Sequence, residues 1–292
     1  MPATAAFDAF LSERGLDATR DEPLGPHTTW KVGGTADWLV RPRDERELAD
    51  VVHGARECDL PWRVLGSGAN LLVTDDGARG VVLQLSRMRR RDGLHVEAGY
   101  SLPRLARETA DAGLSGLECL AGVPAAVGGA IAMNAGGRHG EIAGAVAYVD
   151  VLTPDGGVRR MTRDEVPFRY RSWGLAPGHI AVAAGFRLSR DDRARARFDE
   201  VLADKKATQP LGSHNAGCVF KNPPGGRAGK MIDDAGLKGT RVGPAHVSSK
   251  HANFIINDGG ARAGDVLRVI DVVRDRVRAL FSVQLELEVL VW

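Results

Sequence analysis

Sixteen consecutive residues, Gly122 to Gly137 (GVPAAVGGAIAMNAGG), contain five glycines and no charged side chain. This run constrains the fold more than any other part of the chain. It has neither the apolar stripe of an amphipathic helix nor the alternation of a half-buried strand. It predicts instead a backbone pressed flat against a large planar ligand, which small side chains and glycine allow. A second glycine-bearing loop stands upstream, Gly66-Ser-Gly-Ala-Asn-Leu-Leu72, directly after the strand-like run Arg63–Leu65. Successive N–H groups in such a loop point into one concavity and hold a diphosphate. This loop lacks the third glycine of the Rossmann fingerprint, so by itself it also reads as a tight turn after a strand. The two loops together predict two lobes closing on one dinucleotide.

Composition excludes several alternatives. At 292 residues the chain is long enough for two or three cores. It has 39 basic and 37 acidic side chains, so no polycation argues for nucleic acid. The short basic run Arg87 with Arg89–Arg91 reads as a solvated face or turn. Met1–Phe10 has no basic flank and no apolar run, which argues against a signal peptide. No segment reaches the ~18 apolar residues of a membrane span. Cys58, Cys119 and Cys218 are odd in number and widely spaced, without CxxC, HExxH or a Cys/His cluster. Neither a disulfide framework nor a metal site is expected, and a reducing cytoplasm is the natural compartment.

Apolar spacing predicts helices over 44–57, 102–112, 190–206 and 261–281, the last with a stripe of Val266, Ile270, Val273, Val277 and Phe281. Short β-rich runs stand at 63–65, 81–85 and 179–188. A hairpin is predicted from 146–153 to 156–161, turning at Pro154–Gly157. Val283–Trp292 reads as a terminal strand. Domain divisions are expected after residues 88 and 198, giving segments 1–88, 89–198 and 199–292. The last segment holds Asn215–Pro223, Ile232–Gly239 and Lys250–Asn253, which crowd a thiol, lysines, asparagines and a histidine into turn-rich sequence. That concentration of donors suits a pocket for a charged, sugar-like ligand.

Six motifs in order carry a family resemblance: GSGANLL from Gly66, GVPAAVGGAIAMNAG from Gly122, Tyr170-Arg171, AGCVFKNP from Ala216, DDAGLKGTRVG from Asp233 and LELEV from Leu285. Together they resemble the UDP-N-acetylenolpyruvoylglucosamine reductase family, also called UDP-N-acetylmuramate dehydrogenase. The similarity extends over nearly the whole chain, from Thr28-Thr-Trp-Lys-Val-Gly-Gly34 onward. It implies an α+β protein with a two-lobed FAD-binding domain of the vanillyl-alcohol-oxidase type and a C-terminal α/β substrate-binding domain. The implied reaction is reduction of an enolpyruvyl ether on a UDP-sugar by NADPH through FAD, with neither nucleic acid nor membrane as partner. No histidine stands in the first loop to tether the flavin, so the FAD is expected to be non-covalent.

The same resemblance implies residue roles. Gly66, Ser67, Gly68, Ala69, Asn70 and Leu71 of the first loop would hold FAD. So would Gly122, Val123, Pro124, Val127, Gly128, Gly129, Ile131 and Asn134 of the second. A side chain at Gly128 is expected to evict the flavin without harming the fold. Arg171 matches the family's catalytic arginine, and a guanidinium fork suits a carboxylate that gains charge. Without the family match it reads as a structural ion pair. Cys218 stands at the proton donor, a serine in many members; a thiol is a more willing acid than an alcohol, and oxidisable. Glu288 matches the second acid/base group. Glu286 has the same parity along the strand, and the family pattern alone separates them. Asn222, Lys238 and His251 fall where the family contacts the UDP-sugar. Lys221 is placed with them, or at the phosphates of the nicotinamide nucleotide.

Overall fold

In the computed structural model, which describes residues 3–292, the chain forms two units. The first holds the described residues up to Glu22 with Asp37–Ser67 and Arg79–Asp204. The second holds Pro23–Ala36, Gly68–Ala78 and Lys205–Trp292. This arrangement differs from the expected divisions after residues 88 and 198, because two short upstream segments join the C-terminal residues. Trp30, Val32 and Leu72 are buried in the same core as Ile232, Val266 and Val273. The Trp30 indole N–H donates to the Ile255 carbonyl at 2.7 Å, across 225 positions of sequence.

In the first unit, α1 (Ala3–Glu13) and α2 (Glu45–Glu57) bury Phe7, Leu11, Leu48 and Val51 against Trp38, Val40, Val81 and Leu83. Helix α2 begins where its sequence says it should. The Asp44 carboxylate accepts the Glu47 N–H at 2.9 Å, an N-cap worth about 1 kcal/mol. The sheet beneath runs in the order Ala18–Pro23, Thr35–Val40, Ala78–Gln84, Trp62–Leu65, the last two parallel. A five-stranded antiparallel sheet follows, in the order Val158–Thr162, Val146–Leu152, Ile180–Phe186, His95–Glu97, Arg91–Asp92.

Every side chain of Ile180–Phe186 is buried. Ile180 and Val182 enter one core, Ala184 and Phe186 another, and a register shift at Asp150/Val151 lets the strand feed both. Over the second core lie α3 (Leu102–Asp111), α4 (Val127–Ala132) and α5 (Ala194–Thr208). The basic run near Arg90 is a surface turn, in ion pairs with Asp17, Glu97 and Glu108.

The second unit packs α6 (Ala228–Asp234) and α7 (Ala263–Phe281) with a three-stranded sheet, Arg241–Val242, Ala245–Val247 and Ile255–Asn257. Val266, Ile270, Val273 and Val277 of α7 are almost wholly buried, each stabilising the fold by about 1.5–3 kcal/mol. Phe281, expected to extend that stripe, is exposed, because the helix ends there and Ser282 turns left-handed at φ 56°. Asp75 accepts the Ala263 N–H at 3.0 Å and the Gly264 N–H at 3.1 Å. Two donors that a helix start leaves unsatisfied are thus met from 188 and 189 positions away.

The expected terminal strand is mostly absent. Leu290–Val291 pairs parallel with Leu71–Leu72, Leu287 makes a single bridge with Phe220, and the backbone bends at Glu288 and Val289. Among the described residues, no helix is long and apolar enough to cross a membrane.

Candidate active site

Gly66 and Ser67, the part of the first glycine-rich loop that lies in the first unit, meet the second loop there. The Ser67 hydroxyl donates to the Pro124 carbonyl at 2.8 Å, and a Cβ built on Gly66 would lie 3.8 Å from both Ala126 Cβ and Gly129 Cα. The second loop contains α4, a six-residue helix with Val127, Gly128, Ala130 and Ile131 buried. Its small residues let α4 lie close on the neighbouring strand. The Gly128 N–H donates to the Ala98 carbonyl at 2.8 Å, and a Cβ on Gly128 would stand 2.7 Å from Ala98 Cβ. The expectation for Gly128 is therefore corrected: the space beside it is filled by protein. Gly129 is the opposite case, because a Cβ there would meet nothing within 4 Å.

Accessibility sorts the remaining cofactor candidates. Gly66, Ser67, Ala69, Asn70, Gly122, Val123, Pro124 and Gly129 are at least partly accessible. Leu71, Val127 and Ile131 are buried, their side chains turned inward, and Gly68 is buried as well. The N–H of Ser67, and that of Gly129 in the first turn of α4, meet no acceptor among the described residues. Small uncharged residues, available N–H groups and open space at Gly129 form a cradle that fits a dinucleotide diphosphate.

Arg171 sits on a tight turn in the same unit. The Arg169 N–H donates to the Ser172 carbonyl at 2.7 Å, and the Ser172 N–H donates back at 3.1 Å. Arg171 itself is left-handed at φ 56°, a conformation that costs a non-glycine residue about 1–2 kcal/mol and must be held by its surroundings. Its Nη1 donates to the Gly136 carbonyl at 3.0 Å, and the guanidinium lies 5.0 Å from the centre of the Tyr170 ring. Asn134 is buried, and its side chain is used up inside the protein rather than offered to a ligand. Its Nδ2 donates to Glu141 and to the Arg169 carbonyl, and its Oδ1 accepts from the Ala143 N–H.

The second unit holds the other candidates. The segment Val219–Lys221 runs antiparallel to Glu286–Glu288: the Lys221 N–H donates to the Glu286 carbonyl at 2.9 Å, and the Glu288 N–H to the Val219 carbonyl at 2.8 Å. Within this same unit, the Asn70 Nδ2 donates to the Glu288 carbonyl at 3.0 Å. Asn253 clamps the other side, accepting the Phe220 N–H at 2.9 Å and donating to the Phe220 carbonyl at 2.8 Å. Sequence reasoning passed over Asn253, although it ends the Lys250-His-Ala-Asn253 motif. A buried amide that can imitate a strand edge was the available signal.

Cys218 is partly exposed and follows Gly217, whose N–H donates to Asn215 Oδ1 at 2.9 Å in a local Asx turn. Glu286 and Glu288 share a parity but differ in exposure. The Glu286 side chain is 75% exposed and pairs with Lys221 at 3.5 Å, whereas Glu288 is half-buried. Asn222 Oδ1 accepts the Ala228 N–H at 3.1 Å at the start of α6, and Lys238 pairs with Asp233 at 2.7 Å.

His251 lies edge-on to Phe254, with ring centres 4.8 Å apart, and accepts the Asn253 N–H. Burial, seconded by the charge of Lys238, holds its pKa below the ordinary imidazole value. The unfolded chain therefore takes up this proton more readily than the folded one. The resulting stability is intact above the ordinary imidazole range and is lost as pH falls through it. Denaturant titrations at about pH 7.5 and about pH 5.5 should show wild type losing more stability on acidification than His251→Asn. Equal losses would mean that the ring does not carry the effect.

Matches to an FAD-binding domain model and to a reductase C-terminal domain model define the class as a flavoenzyme. The family model described as "FAD binding domain" matches residues 36–162, and that of the UDP-N-acetylenolpyruvoylglucosamine reductase C-terminal domain matches 209–292. The UDP-N-acetylenolpyruvoylglucosamine reductase of Heliobacterium modesticaldum is 46% identical over 279 residues, covering 92% of this chain and 89% of that protein. The crystal structure of the enzyme of the same type from Thermus caldophilus superposes with a TM-score of 0.82 at 41% identity, over 95% of this chain and 98% of that one. A glucose dehydrogenase, Phl p 4.0202, shares the fold alone, with a TM-score of 0.51 and 19% identity over 65% of this chain and 44% of its own. The chain belongs to the UDP-N-acetylenolpyruvoylglucosamine reductase family.

Proposed function

We propose that this protein reduces UDP-N-acetylglucosamine enolpyruvate to UDP-N-acetylmuramate with NADPH, a cytoplasmic step in making peptidoglycan precursors. One observation carries the reading. Asn70 of the cofactor loop holds the Glu288 carbonyl, and the Glu288 N–H holds Val219, the residue after Cys218. Asn70 and the backbone beside two of the proposed reacting groups thus share one hydrogen-bonded framework within the second unit.

FAD, held beside Ser67 and Gly129, would supply hydride exchange between NADPH and the β-carbon of the enolpyruvyl group. The protein has three further tasks: hold the carboxylate, stabilise the charge that spreads into it from the α-carbon, and protonate that carbon. Arg171 takes the first two, because its two-pronged donor set matches a carboxylate. Cys218 delivers the proton from Sγ to the α-carbon, with Glu288 as the second acid/base group. Glu286 is assigned no part in the chemistry, being exposed and paired with Lys221.

The diphosphate and sugar are assigned to Lys238, Asn222 and His251. The exposed Lys238–Asp233 pair is worth 0–1 kcal/mol, so exchanging Asp233 for a diphosphate costs little. Neutral His251 serves as a hydrogen-bonding partner without adding charge. Lys221 is assigned to phosphate, on the substrate or on NADPH.

The test is spectroscopic and anaerobic. NADPH should bleach the flavin absorbance, and UDP-N-acetylglucosamine enolpyruvate should then restore it in a single turnover. Bleached enzyme that this substrate leaves colourless would overturn the substrate assignment, and flavin that NADPH leaves yellow would overturn the donor.

A further inference from the structure

Hydrogen bonds fasten the turn of Arg171 to the glycine-rich second loop. Nη1 of Arg171 donates to the Gly136 carbonyl at 3.0 Å, the Trp173 N–H donates to the Ala132 carbonyl at 3.0 Å, and Asn134 Nδ2 donates to the Arg169 carbonyl at 3.1 Å. The Asn134 side chain also reaches a third segment, through Glu141 Oε2 at 2.7 Å and the Ala143 N–H at 3.3 Å. It is 2% exposed, and its amide is satisfied on both edges.

Its backbone is specialised as well. At φ 41° it closes α4, with its N–H on the Ile131 carbonyl and the next N–H, of Ala135, on the Ala130 carbonyl. That is a Schellman ending, for which asparagine is second only to glycine. Glycine would close the helix equally well, so the cap does not explain the buried amide. What the amide adds is the link to Arg169.

We propose that Asn134 is a positioning residue, not a cofactor contact: it fixes the Arg169–Ser172 turn, and through it the Arg171 guanidinium, to the loop that cradles the flavin. The proposal rests on the catalytic reading of Arg171. Its physical basis is that Arg171 stands in a conformation it would not adopt alone, so the turn's geometry depends on its attachments. Misplacing a group by about 1 Å costs on the order of 100-fold in rate.

Asn134→Asp keeps the shape, removes the donor to Arg169 and sets a carboxylate against Glu141. FAD content per chain, and the rate at which NADPH reduces the flavin, should stay near wild type. Reoxidation by the enolpyruvyl substrate should slow by roughly 10–100-fold at saturation, with the fall in kcat rather than a rise in KM. Adding Glu141→Gln, whose amide can donate to the new carboxylate, should recover part of the loss. In an Arg171→Ala background the same Asn134→Asp change should cost less than about 2-fold, because the path through Arg171 is already gone.

If the aspartate variant does not fold, as judged by thermal melting, Asn134→Gly keeps the left-handed cap and serves in its place with the same expectations. Loss of FAD or equal slowing of both half-reactions would overturn the proposal in favour of a direct cofactor role. So would an unchanged reoxidation rate, or an effect of full size in the Arg171→Ala background. Wild-type reoxidation in Arg171→Ala alone is a different result, since it removes the role of Arg171 itself.

Discussion

Cys218→Ala should reduce its flavin with NADPH at nearly the wild-type rate, yet reoxidise with the enolpyruvyl substrate roughly 10²–10⁴ times more slowly, the usual span for losing a general acid. The reasoning depends on the reaction having two halves. The first half moves hydride from NADPH and asks nothing of a proton donor at the substrate's α-carbon. The second leaves charge on that carbon until a proton arrives. Cys218→Ser should recover much of the loss, since a hydroxyl in the same place can donate. Glu288→Gln should also spare the first half, whereas Glu286→Gln should leave both near wild type, given the exposure of Glu286. Stopped-flow absorbance resolves the halves separately. Wild-type reoxidation in Cys218→Ala would reduce the thiol to a packing group and leave Glu288 or a bound water as the acid.

Gly129→Val should yield a folded protein that has lost its flavin, with affinity down by roughly tenfold or more, that is, by about 1.4 kcal/mol or more. The added side chain would grow into the open space beside α4, where nothing of the protein stands within 4 Å. Gly128→Val, one residue earlier, should instead fail as a fold, because its Cβ would start 2.7 Å from Ala98 Cβ in a core with no room to yield. Circular dichroism and thermal melting, beside the ratio of FAD to protein, separate the two outcomes. Full FAD retention in a well-folded Gly129→Val protein would remove α4 from the flavin site. A stable, colourless Gly128→Val protein would restore the earlier expectation for that glycine.

The elements legible in advance were those whose cause is local. Helix α2 carries its cap at Asp44, the hairpin turns where Pro154–Gly157 requires it, and α7 shows an unbroken stripe from Val266 to Val277. The ordered motifs were equally legible, since a glycine-rich loop or a thiol in a polar turn is written into consecutive residues. They fixed the family and the set of candidate side chains. Periodicity failed where chain direction changes within a few residues. The terminal run around Glu288 alternates like a strand, but it bends there and makes only a bridge and a two-residue strand.

The tertiary structure decided what each residue type could not. Gly128 and Gly129 are identical in sequence terms, yet one faces Ala98 and the other open space. Glu286 and Glu288 share a parity, yet one is exposed and the other half-buried. Asn134 reads as a loop amide, and only the convergence of Glu141, Ala143 and Arg169 on it shows that its hydrogen bonds are already spent. Trp30 and Asp75 take their roles from partners 225 and 188 positions away. Local sequence sets which conformations and donors are available. Burial and hydrogen-bond satisfaction are properties of neighbours, and neighbours distant in sequence exist only once the chain has folded.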